Sequence, residues 1–213
     1  MNMDYTFVVQ SFVALFLIVD PIANVPIFIS LLERFKESER RLMIKKSVIV
    51  ATIVLLVFTL MGNLIFQFLG IGMYSFRIAG GLLLLIISIE MLFGRKSRTE
   101  TTSEELTLKE REDITITPLA VPLLTGPGAI TAGIVLFNLA KTPLMTLMLI
   151  VDILLVFLIS YVILINSDFL YRIFGETGTR VITRIMGLLL SAIAVQFMIT
   201  GISEAIRELS IMV

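Results

Sequence analysis

Two apolar stretches of this chain, each long enough to cross a bilayer, are broken by prolines, and few folds accommodate that combination. Val19-Asp20-Pro21-Ile22-Ala23-Asn24-Val25-Pro26 lies inside the apolar run 5–32, and Leu124-Thr125-Gly126-Pro127-Gly128-Ala129 inside the run 116–140. A proline within a helix offers no amide donor and crowds the carbonyl four residues back, so Pro21 frees the carbonyl of Leu17 and Pro127 that of Leu123. In hydrocarbon such groups are tolerated only where they face protein or a wet cavity. Five of the six prolines (Pro21, Pro26, Pro118, Pro122, Pro127) sit in or just before the two breaks. The expectation is a polar site inside the membrane.

Further runs able to span roughly 30 Å of hydrocarbon fall at 47–69, 74–93, 143–166 and 182–205, making six in all. With 57% hydrophobic residues and a mean hydropathy of +1.01, the chain is read as an integral membrane protein. Runs of this length exclude an outer-membrane barrel, whose strands alternate over about ten residues. Basic residues are unevenly placed. Segment 33–46 holds Arg34, Lys36, Arg40, Arg41, Lys45 and Lys46, segment 94–115 holds Arg95, Lys96, Arg98, Lys109 and Arg111, and segment 167–184 holds Arg172, Arg180 and Arg184. Arg77, Lys141 and Arg207 are left for the opposite side, so both termini are expected outside. Segment 33–46 reads as a polar helical hairpin, and the N-terminus lacks the basic start of a cleaved signal peptide. The chain has neither cysteine nor histidine, which removes thiol chemistry and the commonest metal ligand and leaves proton chemistry to carboxylates. No metal site, cofactor or nucleic-acid partner is expected.

Shifted against itself by 106 residues, the sequence superposes Pro21 on Pro127, Ala23 on Ala129, Gly81 on Gly187, Leu82-Leu83-Leu84 on Leu188-Leu189-Leu190, and Ile87 on Ile193. Residues 1–93 and 116–213 thus read as two three-helix repeats joined by a polar cytoplasmic linker, 94–115. Three spans per unit bring the second in from the opposite side. The expected fold is all-α: six transmembrane helices in two inverted repeats whose first and fourth helices are broken, an arrangement common among transporters. Gly80, Gly81 and Gly187 read as points of close helix packing.

The two broken motifs, Asp20 to Phe28 and Pro118 to Ile130, resemble those of the MarC/SnatA family of six-helix inner-membrane proteins, and the similarity runs nearly the whole chain. The resemblance implies a multi-pass transporter of the cell membrane for small neutral amino acids (glycine, alanine, serine), with ion coupling in the manner of a symport. Where the family often has Gly before Asn in the first motif, this chain has Ala23.

A zwitterion suits the two ends of a broken helix. The amides after Thr125, chiefly those of Gly126, Gly128 and Ala129, are expected to meet the carboxylate, with the Thr125 hydroxyl assisting as at a helix N-cap. Asp20, followed by Pro21, would take the ammonium group, and Asn24 fits either role; Pro127 opens the inner half-helix. The plainer reading is that Asp20 and Thr125 only cap half-helices. Asp152, flanked by apolar residues in the fifth span, is costly when ionised and is a candidate beside Asp20 for coupling to a proton or sodium gradient. A structural hydrogen bond to a neighbouring helix explains Asp152 as well. Glu90 and Gln196, equivalent in the repeat, are candidates for vestibule lining. Rival readings are an exporter of other small metabolites, a non-transporting scaffold or sensor, and an intramembrane enzyme using Asp20 with Asp152. No nucleotide, zinc-protease or serine-hydrolase motif is present, and no enzymatic activity is expected. Lipid and substrate are the expected partners, and homo-oligomer formation is left open.

Overall fold

The computed structural model describes residues 2–32, 35–68, 72–93, 119–120 and 123–212, and among these every regular element is helical. The linker 94–115, Pro118 and Pro122 lie outside the described residues. The helices are α1 (Asn2–Val19), α2 (Asn24–Leu32), α3 (Glu37–Phe68), α4 (Met73–Phe93), α5 (Pro127–Leu139), α6 (Pro143–Ile165) and α7 (Ser167–Met212). α3, α4, α6 and α7 are long and apolar enough to cross a membrane by themselves, whereas the apolar parts of α1 and α5 are shorter, and each abuts one of the two breaks.

α1 stops because its hydrogen-bond ladder does. Asp20 N–H still reaches the Phe16 carbonyl at 3.0 Å, but Pro21 has no N–H for Leu17. Residues 21–23 form a turn and α2 begins at Asn24, with Pro26 in its first turn, where the missing amide costs no ladder bond. At the second break, the Thr125 amide bonds the Ala120 carbonyl five residues back, and Gly126 (φ −75°, ψ 174°) and Pro127 then start α5.

α3 buries Ile44, Val48, Ala51, Leu55, Thr59 and Gly62 at helical spacing, while Leu42, Ile49, Ile53 and Val57 on the other face are exposed. Such an inside-out pattern is at ease only in lipid. α3 also corrects the expectation of a hairpin over 33–46, because one helix runs from Glu37 straight into the span. Glu37 and Glu39 complement the dipole of its first turn. α7 likewise runs through the basic segment 167–184. It is interrupted only at Gly175 (φ 60°, ψ −175°), a backbone geometry essentially reserved for glycine.

α5 lies at the centre, with Gly128, Ala129 and every residue from Thr131 to Leu136 buried. α3 and α1 flank it, and α6 packs on α1 and α3. The most extensive contact joins α4 to α7, antiparallel and glycine-lined. A Cβ on Gly81 would stand 2.8 Å from the Ala194 carbonyl, one on Gly187 3.0 Å from that of Ser88, and one on Gly201 2.9 Å from that of Tyr74. Backbones approach this closely only where side chains are absent, and in lipid such packing replaces the hydrophobic drive that joins helices in water.

Candidate functional site

The end of α1, just before its break, lies against the start of α5. Ile18, two residues before Asp20, brings its Cγ2 to 3.5 Å of where a Cβ on Gly128 would be, and Leu84 and Ile87 of α4 close the same spot at 3.1 and 2.9 Å. Gly128 and Ala129 form the buried first turn of α5, which no side chain caps, so its amides keep the partial positive charge of a helix start. Thr125 is not the cap. Its buried hydroxyl donates to the Ala51 carbonyl of α3 at 2.9 Å, and the cap position falls to Gly126. The physical reason is burial, since a hydroxyl enclosed by α3 bonds the nearest acceptor, which is a carbonyl of that helix.

Asp20 is buried at 7% exposure, and its carboxylate accepts the Ala23 amide at 3.2 Å, closing the turn that leads into α2. Asn24, also buried, donates its side-chain amide to the Val19 carbonyl at 3.0 Å and so satisfies one acceptor that the interruption of α1 leaves over. Pro21 is buried between them, and Pro127 is exposed at the other break. Asp20 and Asn24 thus close the first interruption and Gly128 and Ala129 the second, with Ile18 of α1 packed towards Gly128.

Asp152 stands apart from this group. It is 3% exposed and accepts a 2.5 Å hydrogen bond from the Ser11 hydroxyl of α1. Ser11 precedes Asp20 by nine residues of helix, so the two carboxylates are separated along α1 by about 13 Å. An apolar groove of about 350 Å³, lined by Tyr5, Val8, Leu144, Leu147, Met148 and Val151, leads to Asp152 between the ends of α1 and α6. Glu90 is half-buried near the end of α4. Gln196 lies on the exposed face of α7 beside Val195 and Ile199, with its amide 3.4 Å from the Thr200 hydroxyl, and so does not border the junction.

Sequence reasoning missed three polar groups. Ser11 is a hydroxyl in an apolar span, a residue that can bond its own preceding turn and so gives no signal of a partner elsewhere. Arg77, counted among the charges of the outer side, is buried within α4 and ion-paired with Glu204 of α7. An arginine four residues inside an apolar run was the available signal. Thr131 is buried in α5 against Gly80 of α4, whose missing side chain makes room for it.

A family profile described as MarC family integral membrane protein matches residues 5–206. A UPF0056 membrane protein of Methanocaldococcus jannaschii is 40% identical over 204 residues, covering 96% of this chain and all of the relative. Another from Archaeoglobus fulgidus is 38% identical over 208 residues, 97% of each chain. The UPF0056 membrane protein YvbG of Bacillus subtilis is 32% identical over 202 residues, 94% of this chain and 96% of the relative. No solved structure matches the chain. The chain belongs to the MarC family of integral membrane proteins.

Proposed function

We propose that this MarC-family protein is a secondary transporter of small neutral amino acids of the glycine, alanine and serine class, driven by a proton or sodium gradient. It works by alternating access at the junction of the two broken helices. The observation that carries this reading is the approach of Ile18 to Gly128, which sets the helix broken at the buried Asp20 next to an uncapped helix start. A zwitterion needs opposite partial charges within its reach, and in this reading its ammonium group meets Asp20 and its carboxylate the amides of Gly128 and Ala129. Leu84 and Ile87 fill the space at Gly128, so this conformation is closed, and entry of substrate requires α4 to draw back from α5.

Two inverted repeats, residues 1–93 and 116–213, with both termini outside the cell membrane, complete the reading. Its support is the pairing of helices. Exchanging the repeats turns the α1–α6 contact into the α5–α3 contact and maps the α4–α7 contact onto itself. The glycines keep the same register: Gly81 abuts Ala194 and Met198, and Gly187, 106 residues on, abuts Ser88 and Leu92, which are 106 residues before Ala194 and Met198. The separation of Asp20 from Asp152 speaks against a two-carboxylate enzyme, whose acids must come close enough to share a proton.

The test is uptake by purified protein in proteoliposomes. Labelled glycine or alanine should accumulate under an inward proton or sodium gradient, and Asp20→Asn should depress uptake in protein that remains folded. Uptake no greater than in empty vesicles, for every small amino acid under both gradients, would reject the reading.

A further inference from the structure

We infer that α7 carries a latch at each end and that the two latches hold opposite ends of the molecule shut. Asp168, in the first turn of α7, pairs with Arg40 of α3 at 3.8 Å. Glu204, near the other end of α7, pairs with Arg77 of α4. Arg40 lies in the first turn of α3 and Arg77 in the second turn of α4, and because α4 follows α3 through a short connection, those helix starts are at opposite ends. Each pair ties a helix of residues 1–93 to a helix of residues 116–213. The inference rests on the alternating-access reading, in which one end must part while the other stays closed.

The two pairs sit in different surroundings. The side chains of Arg40 and Asp168 are 27% and 65% exposed, so water replaces the contact readily and the pair holds weakly. The Arg77 side chain is 5% exposed, its Nε is buried without a hydrogen-bond partner, and removal of Glu204 would leave a buried cation uncompensated. The end held by Arg40 and Asp168 therefore opens first. Behind that pair lies a cavity of about 50 Å³ bounded by Phe28, Leu32, Ile44 and Ile165, and Phe28 is one turn along α2 from Asn24. Parting this latch would open that cavity to the outside beside α2.

Gly175 supplies the hinge. It is seven residues after Asp168, its φ of 60° breaks the helix, and a Cβ there would meet nothing within 4 Å. Residues 167–174 can swing with Asp168 while the rest of α7 stays fixed to α4 along Gly81, Gly187 and Gly201.

The chain has no cysteine, so pairs of spin labels can be introduced without background. Lys36→Cys with Arg172→Cys reports on one end and Ser75→Cys with Arg207→Cys on the other, all four positions being exposed. Distances are read by double electron–electron resonance on the full chain in lipid vesicles. Asp168→Asn should raise the share of longer first distances in the distribution and leave the second unchanged. The reciprocal exchange Arg40→Asp with Asp168→Arg should restore it. Gly175→Ala should shift the first distance only. Glu204→Gln should lengthen the second distance alone, and the milder Glu204→Asp serves where Gln prevents folding. Unchanged distances in Asp168→Asn, or both distances moving together, would overturn the latches. Wild-type uptake of glycine measured in the same vesicles separates this failure from that of the transport reading.

Discussion

Asp20 holds a left-handed backbone conformation (φ 41°), alone among the described residues other than glycine. Asp and Asn tolerate this region because their short polar side chains bond the local backbone, and here the carboxylate takes the Ala23 amide. Asp20→Ala loses both the conformational tolerance and the cap, and should lower stability by about 2 kcal/mol. Asp20→Asn should keep most of that stability yet lose transport. Thermal unfolding in detergent beside uptake separates the two effects. At Asp152 the decisive partner is Ser11. Ser11→Ala removes the donor from a buried carboxyl and should destabilise the protein by about 1–3 kcal/mol, whereas Ser11→Thr, which retains the hydroxyl, should cost less in the same assay. Asp20 and Asp152 stood out in the sequence because carboxylates are rare within apolar spans. Ser11 did not, since a serine in a membrane helix can bond its own preceding turn, and the Ser11 oxygen does lie 2.8 Å from the Phe7 carbonyl.

Among the elements, α4 and α7 form the tightest pair, and their glycines set the spacing. A methyl at Gly81 or Gly187 would meet main-chain atoms of the opposite helix at 2.8 or 3.0 Å, and backbone cannot rotate out of the way as a side chain can. Gly81→Ala and Gly187→Ala should each lower stability by about 1–3 kcal/mol, read as a fall in the midpoint of thermal unfolding. If the repeats are equivalent, the two losses should be similar. α5 shows the limit of reading an element by its local pattern. Thr125 ahead of Gly-Pro-Gly looks like a helix cap, yet its hydroxyl bonds α3 instead. Capping preferences describe a helix end in water, and this one is enclosed by a neighbour that offers a carbonyl.

For the whole molecule, the segregation of basic residues predicts which ends face the cytoplasm. A cysteine at Lys45 should react with a membrane-impermeant maleimide only in opened cells, and one at Lys141 in intact cells; both residues are exposed. The reverse pattern would invert the topology while leaving the packing intact. The sequence by itself determined that the chain is a helical membrane protein and where two of its helices break, because apolar run length and proline's missing amide act locally. Only the tertiary structure decided that Ile18 of α1 packs towards Gly128 of α5, that Asp152 bonds Ser11, and that Arg77 pairs inside the protein with Glu204. Those contacts join residues more than a hundred positions apart, and their geometry depends on how helices pack against one another, which no local pattern of residues encodes.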